Sequence, residues 1–489
     1  MRKNTLLSSL ILVGSLALTA ACASGRSGTE SGQGGATASS GSATDDQGVD
    51  PAKIKGLDIV TDSSEHGSCP YAAGYPAVPG AEAMTAAMEK DVQQRLAAFL
   101  GTDDGEQATD CGGGADSGSG QELNISHQFL IASGDVLGVR LSTLDRGAAG
   151  DGLATRTYWY DGAAKAYGPP LGLVADGARE SFTTALKKEL KGQEGVDAGQ
   201  LDEVLDDSAG RSAVLDDIAF GTDGGMRVSF DRGEVGVPAG GRYAVSFSKD
   251  TITPWLSPFG KRAQQQAMHP SGTLELGATD APEEPVPTHR ASGEDTADCA
   301  KVKCVALTFD DGPAVPEAAT LLNHLAQYKA RVTFFTVGQN VAAHPELVRA
   351  EAKAGHEIGN HSWNHPDLTR LTPEQITYQL NRTSEAIKNA TGKAPTVFRP
   401  PYGAIDAKVK AATTLSPVLW DVDTEDWKYR DAAKVAQTVI AKTEPNDVVL
   451  MHDIHPTSVA AVPEILRTLT ARGYHFVTVS HLRATLAGR

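Results

Sequence analysis

The sequence predicts a mixed α/β protein: a C-terminal distorted (β/α) barrel of about seven strands, preceded by a smaller α+β domain. Three observations carry that expectation. After Cys299, short apolar runs alternate regularly with helical periods, as in a parallel sheet wrapped by helices. Before about residue 265 the pattern is irregular, with strands that alternate apolar and polar residues and one amphipathic helix. The charge also divides there. Residues 299–489 hold 21 Lys/Arg and 19 Asp/Glu, whereas the whole 489-residue chain holds 44 and 61, so the first part carries 23 and 42, a net of −19. Nine of the 13 histidines fall after Cys299. The composition, 40% hydrophobic and 21% charged, excludes a coiled coil, a collagen and a wholly disordered chain. The acidity argues against nucleic acid as a partner.

Residues 1–21 read as a signal peptide, with Arg2 and Lys3 ahead of an apolar run from Leu6 to Ala21 that is short for a membrane span. Leu18-Thr19-Ala20-Ala21-Cys22 resembles a bacterial lipoprotein cleavage box. That resemblance implies a lipidated Cys22 and a lipoprotein held at the outer membrane face, opposite the cell wall. Ordinary cleavage after Ala23, giving a free extracellular protein, is the alternative. Residues 22–50 form a Gly/Ser/Thr-rich tether too polar to bury a core. Four further cysteines in an oxidising compartment allow three pairings. The nearest-neighbour pairing, Cys69–Cys111 and Cys299–Cys304, keeps each bridge within one domain.

Within 51–265, the accessory α+β domain, strands are expected at Ile125–Ile131, Val136–Leu141, Arg156–Tyr160, Met226–Phe230 and Tyr243–Phe247, with a helix at Ala178–Leu190. The segment from Phe230 through Val235-Gly236-Val237-Pro238-Ala239-Gly240 to Thr253-Pro254-Trp255-Leu256 resembles the end of an accessory domain found in anti-sigma-factor-type sensors and in some cell-wall deacetylases. Residues 266–298, rich in Pro, Glu, Ala, Thr and Ser, read as a linker.

In 299–489 the expected strands are Val305–Phe309, Val332–Val337, Glu357–Gly359, Thr396–Phe398, Val418–Trp420, Val448–Met451 and Phe476–Val479. Helices are expected at Pro316–Tyr328, Pro345–Ala354, Pro373–Thr391, Ala404–Ala412, Asp431–Thr443 and Val459–Arg472. In barrels of this kind the chemistry sits at the C-terminal strand ends. Asp310-Asp311, His361, Arg399, Asp423 and His452 each follow an expected strand, so they can converge on one mouth.

Adjacent Asp310 and Asp311 point in different directions on leaving a strand, so they have separate roles. His361 and His365 lie on one face if their segment is helical. Two imidazoles and one carboxylate make the three-ligand set of an open catalytic zinc site, in which a water is activated. The spare Asp is the natural base and His452 the natural acid. Arg399 beside the base and Asp423 beside the His would favour their charged forms. His455 is a rival acid, placed past the strand, and His356 is expected to be structural.

Thr308-Phe309-Asp310-Asp311-Gly312-Pro313, His361-Ser362-Trp363-Asn364-His365, Arg399-Pro400-Pro401-Tyr402-Gly403, Asp423-Thr424-Glu425-Asp426-Trp427 and Leu450-Met451-His452 resemble the five ordered motifs of the polysaccharide deacetylase family, carbohydrate esterase family 4 or the NodB-homology domain. The resemblance implies one divalent metal ion, zinc or cobalt, held by Asp311, His361 and His365. It implies Asp310 as base, His452 as acid, Arg399 tuning Asp310, Asp423 tuning His452, and the Tyr402 backbone N–H in an oxyanion hole. Trp427 and Leu450 would line an acetyl pocket. The expected activity is N-deacetylation of a polysaccharide. Peptidoglycan is the leading substrate because the tether would place the enzyme beside the wall. Chitin oligosaccharides or acetylxylan are the enzyme alternatives, and a wall-binding or sensing lipoprotein is the alternative of another class. No protein partner of the first domain is identified by the sequence.

Overall fold

Alternation of apolar residues builds the first sheet. In the computed structural model, which describes residues 49–64, 69–101, 121–147, 150–277 and 295–487, the strands β1 (Asp58–Ser64), β2 (Tyr71–Ala77), β3 (Leu123–Ser133), β4 (Val136–Gly147), β5 (Gly150–Asp161) and β6 (Ala166–Gly168) lie side by side in chain order. All neighbours are antiparallel except β2 and β3. One face of this sheet is covered by the helix Glu82–Leu100, which buries Met84, Met88, Val92, Leu96 and Phe99 along a single stripe. Beyond the sheet, β7 (Asp217–Phe220), β8 (Met226–Phe230) and β9 (Tyr243–Phe247) form an antiparallel ribbon packed with the helices Arg179–Leu190, Ala198–Asp206 and Pro258–Met268 around Trp159, Phe182, Phe220 and Phe230. Residues 266–277, read above as linker, belong to this packing. The last helix continues to Met268, Leu274 bridges to Gly134, and Leu276 is buried in the core beneath the first sheet.

The expected pairing of Cys299 with Cys304 is present. The Cys69–Cys111 pairing, Cys22 and the signal segment involve residues outside those described.

From there the chain builds a parallel sheet: β10 (Lys303–Asp310), β11 (Thr333–Thr336), β12 (Glu357–Asn360), β13 (Val397–Phe398), β14 (Ser416–Pro417), β15 (Val422–Asp423), β16 (Val448–His452) and β17 (Tyr474–Phe476). The order is β14-β13-β12-β11-β10-β16-β15, and β17 pairs with the start of β10. Every neighbouring pair is parallel.

Closure follows from chain length. β14 and β15 are the two edges, yet only residues 418–421 separate them. Flat, seven strands would span roughly 29 Å at about 4.8 Å each, whereas five Cα steps reach at most about 18 Å. The sheet must therefore curl until its edges meet. Val418–Trp420, expected as a strand, instead crosses the seam: Val418 N donates to Phe398 O on one side and Asp421 N to Val448 O on the other.

Outward-facing Val305, Leu307 and Phe309 pack against Leu321, Leu325, Val462, Ile465 and Leu469 of the surrounding helices, while Ala306, Thr308 and Asp310 face inward. The helix Pro373–Thr391 shows how local chemistry sets its bounds. Thr372 and Gln375 form a capping box, Pro373 occupies the first turn, and Gly392 ends the helix at φ 80°. No helix among the described residues is long and apolar enough to cross a membrane.

His356 is buried and its Nδ1 accepts the Val332 N–H. Burial pushes its pKa down to about 3 and that of His127 down to about 4. Both rings are thus neutral when folded but take up protons when unfolded near pH 6.5. Folding stability is expected to be complete above pH 7 and to fall as the pH drops from about 6.5 towards 4. Thermal unfolding followed across that range checks this, and His356→Asn should flatten the slope.

Candidate active site

Asp310 ends β10 with its side chain inside the barrel. Its Oδ1 accepts a 2.7 Å hydrogen bond from Arg399 Nη1, which also reaches Thr308 Oγ1 at 2.7 Å. Arg399 is fully buried and is fixed by the Val418 carbonyl at 3.3 Å and by the Phe335 ring, 4.4 Å from its guanidinium. This buried charge pair is held by several donors and acceptors, the arrangement that offsets desolvation.

Asp311 leaves the strand at φ 75°, so its carboxylate turns away from that of Asp310. The next residue must be small: a Cβ on Gly312 would lie 2.1 Å from Asp453 Oδ2. Asp311 Oδ1 is 3.5 Å from both His361 Nε2 and His365 Nε2. His361 Nδ1 lies 2.7 Å from the Arg399 carbonyl, which fixes the proton on Nδ1 and aims the Nε2 lone pair at Asp311.

The segment between the two histidines is a turn and not a helix. Ser362 and His365 adopt φ 64° and 58°. Asn360 Oδ1 accepts the Ser362 N–H, and Gln379 Oε1 accepts those of Trp363 and Asn364. The imidazoles meet at a ring-centroid distance of 4.7 Å through these turns, in place of the helical spacing expected.

These three side chains are the one group among the described residues that could hold a metal ion, with ligand atoms all within 4.8 Å of one another. A tetrahedral ion with bonds of about 2.0–2.1 Å requires ligand separations of about 3.3 Å, close to the two 3.5 Å distances. Two imidazole nitrogens and a carboxylate oxygen suit a divalent ion that accepts N and O donors. The residues fit.

Opposite them, His452 ends β16, level with Asp310 in the strand register. Its carboxylate partner is Asp426, which replaces the expected Asp423. Asp426 Oδ1 lies 2.8 Å from His452 Nδ1, while Oδ2 accepts the His452 N–H at 2.8 Å and the Ser458 hydroxyl at 2.5 Å. Asp423 sits at a strand end, as the positional rule requires, but accepts the Glu425 N–H within its own turn. The left-handed residue Glu425 (φ 52°) then swings Asp426 inward at the start of the short helix Asp426–Tyr429. Burial opposes the Asp426 charge. The charge of His452, its hydrogen bond, His455 and Ser458 outweigh burial and hold the carboxyl well below the usual range. His455, the rival acid, is buried with its ring 5.7 Å from His452. Burial and the His452 charge push its pKa down to about 3, too low to hold a proton for a leaving group near neutral pH.

Leu450 shares the inward face of β16 with His452 and is fully buried; Trp427 follows Asp426 and is half-buried. Tyr402 lies in the turn Pro401–Gly403 at φ 58°, its ring edge-on to His365 at 4.7 Å.

Sequence reasoning missed a set of contacts to this mouth from the first region. Ser63 Oγ donates to Asp311 Oδ2 at 2.6 Å. Asn124 Nδ2 reaches the carbonyls of Asn364 and His365 at 2.8 and 3.1 Å. Gln339 Nε2 donates to the His127 carbonyl at 2.6 Å, and Arg430 pairs with Asp62 at 2.8 Å. Residues more than 200 positions apart carry no local signal of such contacts.

Residues 297–416 match the polysaccharide deacetylase family model. The peptidoglycan-N-acetylglucosamine deacetylase PgdA of Listeria monocytogenes is 42% identical over 180 residues, 37% of this chain and 39% of the relative. The peptidoglycan-N-acetylmuramic acid deacetylase PdaC of Bacillus subtilis is 42% identical over 180 residues, 37% of this chain and 38% of the relative. The chain thus spans well under half the length of these two. A solved structure of PdaC is 41% identical, covering 39% of this chain and 94% of that one, with a TM-score of 0.38. A peptidoglycan-N-acetylglucosamine deacetylase of Bacillus cereus is 40% identical over 187 residues, and there the match takes in 68% of the relative. At that identity and coverage, this chain belongs to the polysaccharide deacetylase family.

Proposed function

We propose that the protein is a metal-dependent N-deacetylase that hydrolyses acetyl groups from amino sugars of cell-wall peptidoglycan. The observation that carries this reading is the meeting, at one end of the barrel, of a carboxylate tied to Arg399, a three-residue metal-ligand set and a histidine backed by Asp426. Amide hydrolysis needs a base for the attacking water and an acid for the departing nitrogen. Asp310 takes the proton of the water, and Arg399 keeps its carboxylate oriented. His452, aligned by Asp426, delivers a proton to the sugar nitrogen as the C–N bond breaks, leaving acetate and a free amine. The Tyr402 backbone N–H faces the oxygen that gains charge, and Leu450 and Trp427 enclose the acetyl methyl group. Asp311, His361 and His365 would hold a divalent ion, zinc or cobalt, which when bound polarises the carbonyl and makes water more acidic.

The substrate class rests on the relatives, whose names assign them to peptidoglycan. It also rests on the export signal and tether read in residues 1–50, which would place the enzyme at the wall. In this reading Cys22 carries a lipid, residues 51 to about 277 form the accessory domain, and the catalytic domain begins near Cys299.

Other relatives are named a chitin deacetylase and a bifunctional xylanase/xylan deacetylase. Acetate release from purified peptidoglycan, chitin oligomers and acetylxylan therefore tests the substrate, with the freed amine mapped to GlcNAc or MurNAc. The reading predicts the highest rate on peptidoglycan. Activity on another polymer with none on peptidoglycan would overturn it.

A further inference from the structure

The site is sealed. Asp310, His361 and His452 are 0% exposed, Asp311 1% and His365 3%. A cavity of about 30 Å³ lies between Thr61, Ser63, Ala73 and Ile125 of the first sheet and Asp311, Asn340 and His365 of the barrel. That is room for about one water molecule, whereas sites for small organic ligands run to several hundred Å³. The space over Asp311 and His365 is too small for an acetylated sugar while β1–β3 sit there.

The seal is built from specific contacts. Ser63 places its hydroxyl on Asp311, Asn124 ties the carbonyls of the turn that carries His365, Gln339 holds the strand at His127, and Glu122 accepts the Asp367 N–H at 2.7 Å. Asp62 and Arg430 form an ion pair at the rim. Ala343 of the barrel region packs into the core of the first sheet.

From this geometry we infer that the accessory domain is an autoinhibitory lid, with Ser63 seated on a metal-ligand carboxylate, and that the domain must lift away before a polymer can bind. The inference rests on the deacetylase reading for what the lid controls, but the closure itself is tested separately. The apparent rate of a protein that works only when open is its open-state rate multiplied by the open fraction. Weakening the contacts should therefore raise the rate.

Two variants of the full chain outside the catalytic machinery serve: Asp62→Arg combined with Asn124→Ala on the lid, and Gln339→Ala on the barrel. Three quantities are read: amide hydrogen exchange in residues 58–64 and 361–367, the rate at which a chromogenic chelator strips bound zinc, and acetate release from peptidoglycan. Both variants are expected to exchange and lose zinc about tenfold faster, and to release acetate faster by a similar factor. Unchanged exchange and zinc loss in both variants would overturn the lid. So would faster exchange when wild type releases measurable acetate and the variants release the same amount or less, because the domain would then be a working wall of the site. Faster exchange and zinc loss with no acetate from any form would support the lid and overturn the deacetylase reading instead.

Discussion

Asp310→Asn is expected to bind its metal as the wild type does and to lose acetate release by about 10²–10⁴-fold, the usual contribution of a general base. The asparagine keeps the size of the side chain and an oxygen for Arg399, so the fold around the buried guanidinium should survive. It cannot take a proton. Asp311, which in the proposed reading would hold the metal, points elsewhere because of its positive φ and does not substitute for its neighbour. The check is single-turnover acetate release together with zinc content. Loss of zinc in Asp310→Asn would mean that the roles of the two aspartates are shared.

Asp426→Asn should be almost as damaging, with kcat lower by about 10²–10³-fold. Asp426 accepts four hydrogen bonds, from the His452 ring, the His452 N–H, the Ser458 hydroxyl and the Trp427 N–H. An amide must turn its NH2 towards one of these donors, so His452 either loses its alignment or switches tautomer. Asp423→Asn should be the milder change, because this carboxylate is half-buried and accepts the Glu425 N–H of its own turn. The pair of variants separates the two aspartates of one motif, and a severe Asp423→Asn defect with a mild Asp426→Asn one would reverse the assignment.

Asp426 also has a signature in stability. Its carboxyl is held well below the usual range. Its contribution is therefore present above the unfolded value of about 4 and is lost as the pH falls towards the folded value. Acid unfolding should accordingly begin at higher pH in Asp426→Asn.

Much of the barrel was legible in the sequence because its signals are local. The capping box at Thr372, the proline after it and Gly392 mark a helix without any tertiary information. The apolar run Val305–Phe309, short and followed by Asp-Asp-Gly-Pro, reads as a strand covered on both faces. The strand-end rule also located Asp310, His361, Arg399 and His452. It failed at Asp423, where it chose the residue at the strand end although a left-handed turn at Glu425 carries the carboxylate that contacts His452 three residues further on. Trp427, expected to line the acetyl pocket and immediately after Asp426, was the available clue.

The helix Glu82–Leu100 was overlooked for a different reason. Its buried stripe recurs every three or four residues, but alanines on the flanking positions blur the contrast between its faces. Strand Val418–Trp420 was read from composition alone, whereas the closure of the barrel uses those residues to cross a seam. The lid contacts were out of reach of sequence reasoning, because Ser63 and Asp311 are 248 residues apart.

The most direct test of the account is zinc binding and acetate release measured on the same samples: wild type and His361→Ala, each in the closed background and with Asp62→Arg/Asn124→Ala. The account predicts one tightly bound metal ion per chain in the wild type, activity that disappears on chelation and returns with zinc or cobalt, and neither metal nor activity in His361→Ala. Full acetate release from the chelated protein, or from His361→Ala without metal, would contradict it.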